Sequence, residues 1–193
     1  MDWGFVLLAY LMGSVPTGIL VSRAYGTDIR ASGSGNIGAT NALRVLGKKA
    51  GALTLAGDML KGVVPVLLAL HFSGREAGIL AAGAAVIGHD FSVFTGFKGG
   101  KGVATSLGVV LALSPITGAI CVGVWLGAFL ISRISSVGAL AGFAALPVIT
   151  YIRDDGRMVL PLAVFLTALI FIKHRENIKR LVSGEESRIS RKA

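Results

Sequence analysis

Two lysines, Lys98 and Lys101, stand among the glycines of the stretch from Gly88 to Gly108, GHDFSVFTGFKGGKGVATSLG. Lysine supplies a point charge, and Gly99, Gly100 and Gly102 let the backbone turn its N–H groups toward a ligand. Together they suit a multiply charged anion of the phosphate type. A second glycine-rich loop, SGSGNIGATN from Ser32 to Asn41, has the same character. Ser34, Asn36, Thr40 and Asn41 offer neutral hydrogen-bonding groups there, Gly33, Gly35 and Gly38 free the backbone, and Arg44 adds a planar fork suited to phosphate or carboxylate. His174, Arg175 and Asn177, just past the last apolar run, are spaced to reach the same anion from the C-terminal side.

Two further groups carry charge into apolar surroundings. Asp58 and Lys61 lie in GALTLAGDMLKGVVPVLLAL, where an ionisable side chain costs on the order of 2.5–3.5 kcal/mol. Their i, i+3 spacing lets them pair on one helix face, with Lys61 lending positive charge to the site and Asp58 orienting it. His89 and Asp90 end an apolar run, and His89 is a candidate proton carrier or hydrogen-bond donor. Phe91, Phe94 and Phe97 follow at a spacing of three and read as an interfacial apolar stripe.

Several chemistries are excluded. A P-loop needs GxxxxGK[ST], and here Gly102-Val103 follows Lys101, so the segment binds phosphate without nucleotide hydrolysis. The HxxxxD arrangement of soluble-type glycerolipid acyltransferases is missing, since His71 is followed at that distance by Glu76. No acidic cluster has metal-ligand spacing beside the glycine loops, and DDGR at 154–157 is only a fragment of an alcohol phosphatidyltransferase motif. Neither a metal, a cofactor, a nucleotide nor a nucleic acid is expected.

The elements that must position these residues are helices in a membrane. The chain has 193 residues, 53% hydrophobic and only 15% charged, where a soluble domain carries about 25%. Apolar stretches fall near 3–24, 51–71, 77–90, 102–113, 116–132, 137–152 and 159–173. The run from Val103 to Ser132 could be one span or two broken at Ser114–Pro115, and charge decides. With two spans, the loops 25–50, 91–101 and 133–136 share a side with the tail, and that side holds fifteen of the nineteen Lys and Arg residues. Only Arg75, Arg153 and Arg157 lie opposite. The excess of positive charge in cytoplasmic loops therefore favours an all-α bundle of seven mostly short transmembrane helices, N-terminus outside and C-terminus cytoplasmic. One transmembrane domain over 1–193 is expected, with a basic tail from about 173 that anchors to anionic lipid headgroups. Both glycine loops and the tail then share the cytoplasmic face.

The N-terminal run lacks a basic n-region and an early small-residue cleavage site, and reads as a retained span. Gly123-xxx-Gly127 and Gly138-xxx-Gly142 predict close packing between the helices at 116–132 and 137–152. Pro16, Pro65, Pro147 and Pro161 mark kinks or helix ends. The single cysteine, Cys121, reads as a small buried hydrophobe.

SGSGNIGATN, DMLKG with Pro65, GHDFSVFTGFKGGKGVAT and KHRENIKRL together resemble the bacterial membrane-integral glycerol-3-phosphate acyltransferases that use acyl phosphate, the PlsY family. The resemblance runs from Ser14 to the tail. It implies transfer of a fatty acyl group from acyl phosphate to the sn-1 hydroxyl of glycerol 3-phosphate, giving lysophosphatidic acid and phosphate in the first step of phospholipid synthesis. A bacterial cytoplasmic (inner) membrane location and a functional link to an acyl-phosphate-forming acyltransferase follow from it. On this reading Arg44, Lys101, His174 and Asn177 hold glycerol 3-phosphate. Backbone amides around Gly99, Gly100 and Gly102, with Ser34, Asn36 and Thr40, hold the acyl phosphate and stabilise charge on its carbonyl oxygen. Asn41, Lys61 and Lys98 complete the substrate contacts. The hydroxyl proton goes to His89 or to a substrate phosphate, with the phosphate favoured because a cationic pocket lowers the basicity of an imidazole. The rival class is a transporter of an organic phosphate, which intramembrane Asp58 and Lys61 would suit.

Overall fold

The computed structural model describes residues 3–153 and 159–189. Among these residues every regular element is helical, and the chain forms two compact units that meet in sequence between Leu113 and Ser114. DDGR at 154–157, including Arg157, lies outside the described residues.

The first unit begins with helices α1 (Trp3–Ser14) and α2 (Thr17–Ala24). Pro16 has no N–H to donate, so the helix is interrupted there. The break opens two carbonyls to side chains: Ser92 Oγ donates to Ser14 O at 2.5 Å, and Lys61 Nζ to Val15 O at 2.8 Å. A short turn of 3₁₀-helix (Ile29–Ala31) and the first glycine loop lead into α3 (Ala39–Leu46). Ile19, Ile29, Ile37 and Ala42 form a small core beneath that loop.

Helix α4 (Lys48–Asp90) is two helical arms joined at Gly74, whose φ of 81° lies in the region that favours glycine. Gly78 lies against the Leu70 side chain, so the arms fold back on one another within a few residues. The apolar stretches near 51–71 and 77–90 are thus a tight helical hairpin. Pro65 sits inside the first arm without breaking it. Glycines set the packing of this unit. Gly13 abuts the Ala85 backbone and Gly88 the Tyr10 carbonyl, which brings α1 onto the second arm. Gly62 abuts Thr105 and Gly108 abuts Met59, which brings α5 (Val103–Leu113) onto the first arm.

The second unit contains α6 (Pro115–Ser132), α7 (Ser135–Ile152), α8 (Val159–Lys173) and α9 (Arg175–Val182). The run from Val103 to Ser132 is broken at Ser114, whose φ of −148° and ψ of 85° leave the helix, and Pro115 starts α6 at its first turn. Gly138 and Gly142 bring α7 onto Trp125 and Cys121 of α6, as the small-residue spacing predicts. Gly123 and Gly127 do not take part, because a β-carbon at either would meet no atom within 4 Å. Half of the expected glycine contact is therefore corrected: α6 presents Cys121 and Trp125 to α7 and turns its own glycine pair away. Buried Cys121 donates Sγ–H to Gly142 O at 3.2 Å.

Among the described residues, four stretches are long and apolar enough to cross a bilayer: Trp3–Ala24, Lys48–Thr95, Pro115–Ser132 and Ser135–Ile152. Val103–Leu113 and Val159–Lys173 are shorter apolar helices. Large apolar side chains such as Trp3, Phe72, Ile131 and Ile152 are exposed, as suits a surface solvated by lipid. The protein is an integral membrane protein.

Candidate functional site

In the first unit, the site is built on a buried polar cluster around Asp58. Asp58 and Lys61, one helical turn apart in α4, pair at 2.8 Å and are both buried. Neither charge could stand alone in this interior, and pairing with further hydrogen bonds offsets the cost of burying both. Thr17 Oγ1, in the first turn of α2, donates to Asp58 Oδ1. His89, from the second arm, puts Nδ1 at 3.6 Å from Asp58 Oδ1. Thr105 Oγ1 of α5 stands 2.9 Å from the Asp58 carbonyl oxygen and 3.1 Å from His89 Nδ1. Segments distant in sequence thus meet on Asp58, with Thr17, Lys61 and His89 at its carboxylate and Thr105 at its main-chain carbonyl.

The second glycine loop folds directly onto this cluster. Gly100 N–H donates to His89 O at 3.1 Å and Gly99 N–H to Asp90 O at 3.3 Å. These two amides finish the C-terminus of α4, where helical carbonyls lack partners. In this structure both hydrogens point into the helix end. What the two glycines supply is closeness. A β-carbon at Gly100 would strike His89 Nε2, and one at Gly99 would strike the His89 carbonyl oxygen. Gly102, with φ of 72°, brings its backbone against the Asp90 carboxylate just before α5 begins, where negative charge is favoured by the helix dipole. Lys98 is exposed on this bend and Lys101 half-buried. Phe91, Phe94 and Phe97 are all exposed, on the same loop.

Asn41 organises the first glycine loop. Its Oδ1 accepts from Ser34 N–H at 2.9 Å, and its Nδ2 reaches the carbonyls of Ile29, Ser32 and Asn36 at 3.2, 3.0 and 2.9 Å. An amide engaged on both sides shapes the loop. Lys61 is likewise committed, to Asp58 and Val15 O, and lends its charge from within the cluster. Gly33 and Gly35 take φ of 61° and 71° and let the loop wrap Asn41. Ser34 and Arg44 are exposed, and Asn36 and Thr40 half-buried. The first turn of α2 joins the first loop to the Asp58 cluster, since Gly18 abuts the Ile37 carbonyl while its neighbour Thr17 holds Asp58. Thr17 and Thr105 were not legible as site residues, because a threonine in an apolar helix is unremarkable in sequence. The adjacent Pro16 is the one local signal of a break.

His174 and Asn177 belong to the second unit. His174 is buried at the start of α9 with Nδ1 at 2.8 Å from Ile170 O. Asn177 Nδ2 donates to Glu186 Oε1 at 2.5 Å; Ser136 Oγ donates to the same oxygen at 2.8 Å, and Arg180 Nε to Oε2 at 2.7 Å. Burial works to raise the Glu186 pKa, but the donors from Asn177, Arg180 and Ser136 outweigh it and hold the carboxyl below its ordinary value. The sequence offers no signal for Glu186, one acid among the charges of a tail.

A buried ion pair, a tight helical hairpin and cationic glycine loops on apolar helices mark an integral membrane protein with a polar centre. The chain belongs to the glycerol-3-phosphate acyltransferase family, whose model matches residues 3–184. The glycerol-3-phosphate acyltransferase of Thioalkalivibrio sulfidiphilus is 50% identical over 190 residues, covering 97% of this chain and 93% of its own. That of Trichlorobacter lovleyi is 49% identical over 183 residues, 93% of each chain. The crystal structure of PlsY (YgiH), an integral membrane glycerol 3-phosphate acyltransferase in its glycerol 3-phosphate form, superposes with a TM-score of 0.93 at 42% identity, covering 97% of this chain and 94% of that one. Its lysophosphatidic acid form superposes with a TM-score of 0.91. The protein is therefore an acyltransferase of phospholipid synthesis, as the motifs imply.

Proposed function

We propose that the protein transfers an acyl group from acyl phosphate to the sn-1 hydroxyl of glycerol 3-phosphate, in a bacterial inner membrane, with seven spans and the site facing the cytoplasm. The hydroxyl oxygen attacks the acyl carbonyl carbon, the bond from that carbon to the phosphate oxygen breaks, and lysophosphatidic acid and phosphate leave. Acyl phosphate is already activated, so no covalent enzyme nucleophile is needed. Cys121 suits no such role, being buried between α6 and α7.

The observation that carries this reading is the placing of Lys98 and Lys101 on a glycine bend fixed to the buried Asp58–His89 cluster, at the end of apolar helices. Lys101 and Arg44 supply charge for phosphate groups, and Ser34, Asn36 and Thr40 supply neutral donors on the first loop. His89 is 4% exposed with its ring packed on Gly100. That favours a substrate phosphate as acceptor of the hydroxyl proton.

Purified protein in a lipidic medium should release phosphate from acyl phosphate and glycerol 3-phosphate with no added metal or nucleotide, and acyl-CoA should not replace the donor. Uptake of glycerol 3-phosphate into vesicles without phosphate release would support the transporter instead. Lys101→Ala should lower kcat/KM by about a hundredfold or more, because a charge-assisted phosphate contact is lost in a low-dielectric site. Normal kinetics in that variant would make the bend structural only.

A further inference from the structure

The residues around Asp58 do more than neutralise one another. Thr105 Oγ1 has one proton and two polar neighbours, the Asp58 carbonyl oxygen at 2.9 Å and His89 Nδ1 at 3.1 Å. A carbonyl oxygen can only accept, so the hydroxyl proton goes to it and Thr105 Oγ1 accepts from the imidazole. Nδ1 therefore carries the ring hydrogen, and the Asp58 carboxylate at 3.6 Å favours it there. In the neutral ring Nε2 is then the lone-pair nitrogen, and this edge of the ring lies against Gly100. Thr105 is fully buried and His89 nearly so, which leaves water little access to exchange these partners.

We propose that Asp58 and Thr105 are positioning residues that hold His89 as its Nδ1–H tautomer, and that His89 in turn sets the Gly99–Gly100 bend presenting Lys98 and Lys101. The chain of contact is continuous. Thr105 and Asp58 fix the ring, the ring lies on Gly100, and the Gly99 and Gly100 amides tie the bend to the His89 and Asp90 carbonyls. The proposal rests on the reading of Lys101 as a phosphate-binding group. Thr17 and Lys61 serve the same end by holding Asp58 Oδ1, the oxygen that faces His89 Nδ1.

The test combines a spectrum with kinetics. Protein labelled with ¹⁵N-histidine is examined in detergent without substrates, and the His89 ring signals are assigned by their loss in His89→Asn. The wild type should show a protonated Nδ1 and an unprotonated Nε2. Thr105→Val, close to Thr105 in shape, should weaken that preference and lower kcat/KM for glycerol 3-phosphate by at least about tenfold, since small misplacements of a binding group are costly. Thr105→Ser restores the hydroxyl and should recover both. A His89 found as the Nε2–H tautomer in the wild type overturns the proposal. So does a Thr105→Val protein that loses thermal stability but keeps wild-type kinetic constants and tautomer, because that is a packing role only. The spectrum needs no turnover, so a wrong tautomer counts against the positioning role alone, whereas wild-type protein that releases no phosphate counts against the reaction proposed above.

Discussion

Gly100 and His89 touch through the one face of the bend that carries no side chain: a β-carbon at Gly100 would occupy the place of His89 Nε2. The φ of Gly100 is not positive, so the glycine is required by space and not by backbone conformation.

Gly100→Ala should therefore act as a wedge. The added methyl group must push the imidazole off Thr105 or lift the bend off the helix end. Overpacking of this kind costs about 1–3 kcal/mol. Activity should fall further than stability, since Lys101 moves with the bend. A variant that folds with wild-type thermal stability and wild-type kcat/KM would mean the contact is slack.

Lys61→Met should be among the most destabilising single changes in the first unit. It leaves the Asp58 carboxylate buried with Thr17 and the His89–Thr105 pair but without its cation, and breaking a buried pair by removing one partner costs about 3–5 kcal/mol. Adding Asp58→Asn removes the stranded charge, so the double variant should melt above Lys61→Met in detergent. Strictly additive losses would show that the two side chains do not interact.

The helices were legible in the sequence because apolar runs bounded by charged or polar loops leave few alternatives, and Pro16 and Ser114–Pro115 fall where the structure breaks. The turn at Gly74 falls in the gap between the stretches near 51–71 and 77–90, as the sequence implies, but which residue there takes the positive φ was not legible. Both glycine loops could be found from composition, but not what their groups do. Asn41 looks like a ligand-binding amide until four loop partners claim it, and the Gly99 and Gly100 amides look open until the end of α4 accepts them. Thr17, Thr105 and Glu186 act through partners 41, 47 and up to 50 residues away, a relationship that spacing cannot carry.

The glycines of α6 and α7 give opposite expectations from the same motif. A β-carbon at Gly138 would come within 2.8 Å of the Trp125 carbonyl oxygen, so Gly138→Ala must shift one backbone against the other and should cost about 1–3 kcal/mol. Gly123→Ala meets nothing and replaces a flexible helical residue, so it should be neutral or stabilise by about 0.5–1 kcal/mol. Thermal unfolding of the two variants side by side decides it. Equal losses at both positions would mean that Gly123 faces a partner after all.

Glu186 gives the second unit a defined response to acid. Its carboxyl accepts from Ser136, Asn177 and Arg180, and its pKa in the folded protein lies below the ordinary 4.5. A depressed carboxyl stabilises the fold fully above the unfolded value, and that contribution is lost as pH falls through the folded one. At pH 7, Glu186→Gln should cost about 1–3 kcal/mol, because the charge facing Arg180 is gone while Ser136 and Asn177 keep an acceptor. As pH falls below 4.5 and then through the lower folded value, the wild type loses this contribution, so the difference in melting temperature between the two proteins should shrink and then close. Asn177 gives a second readout. Its amide signals should shift with the wild-type carboxyl as pH falls and stay still in Glu186→Gln. A melting difference that persists unchanged to pH 3, or an Asn177 amide indifferent to the titration of Glu186, would show that the contact contributes packing and no charge.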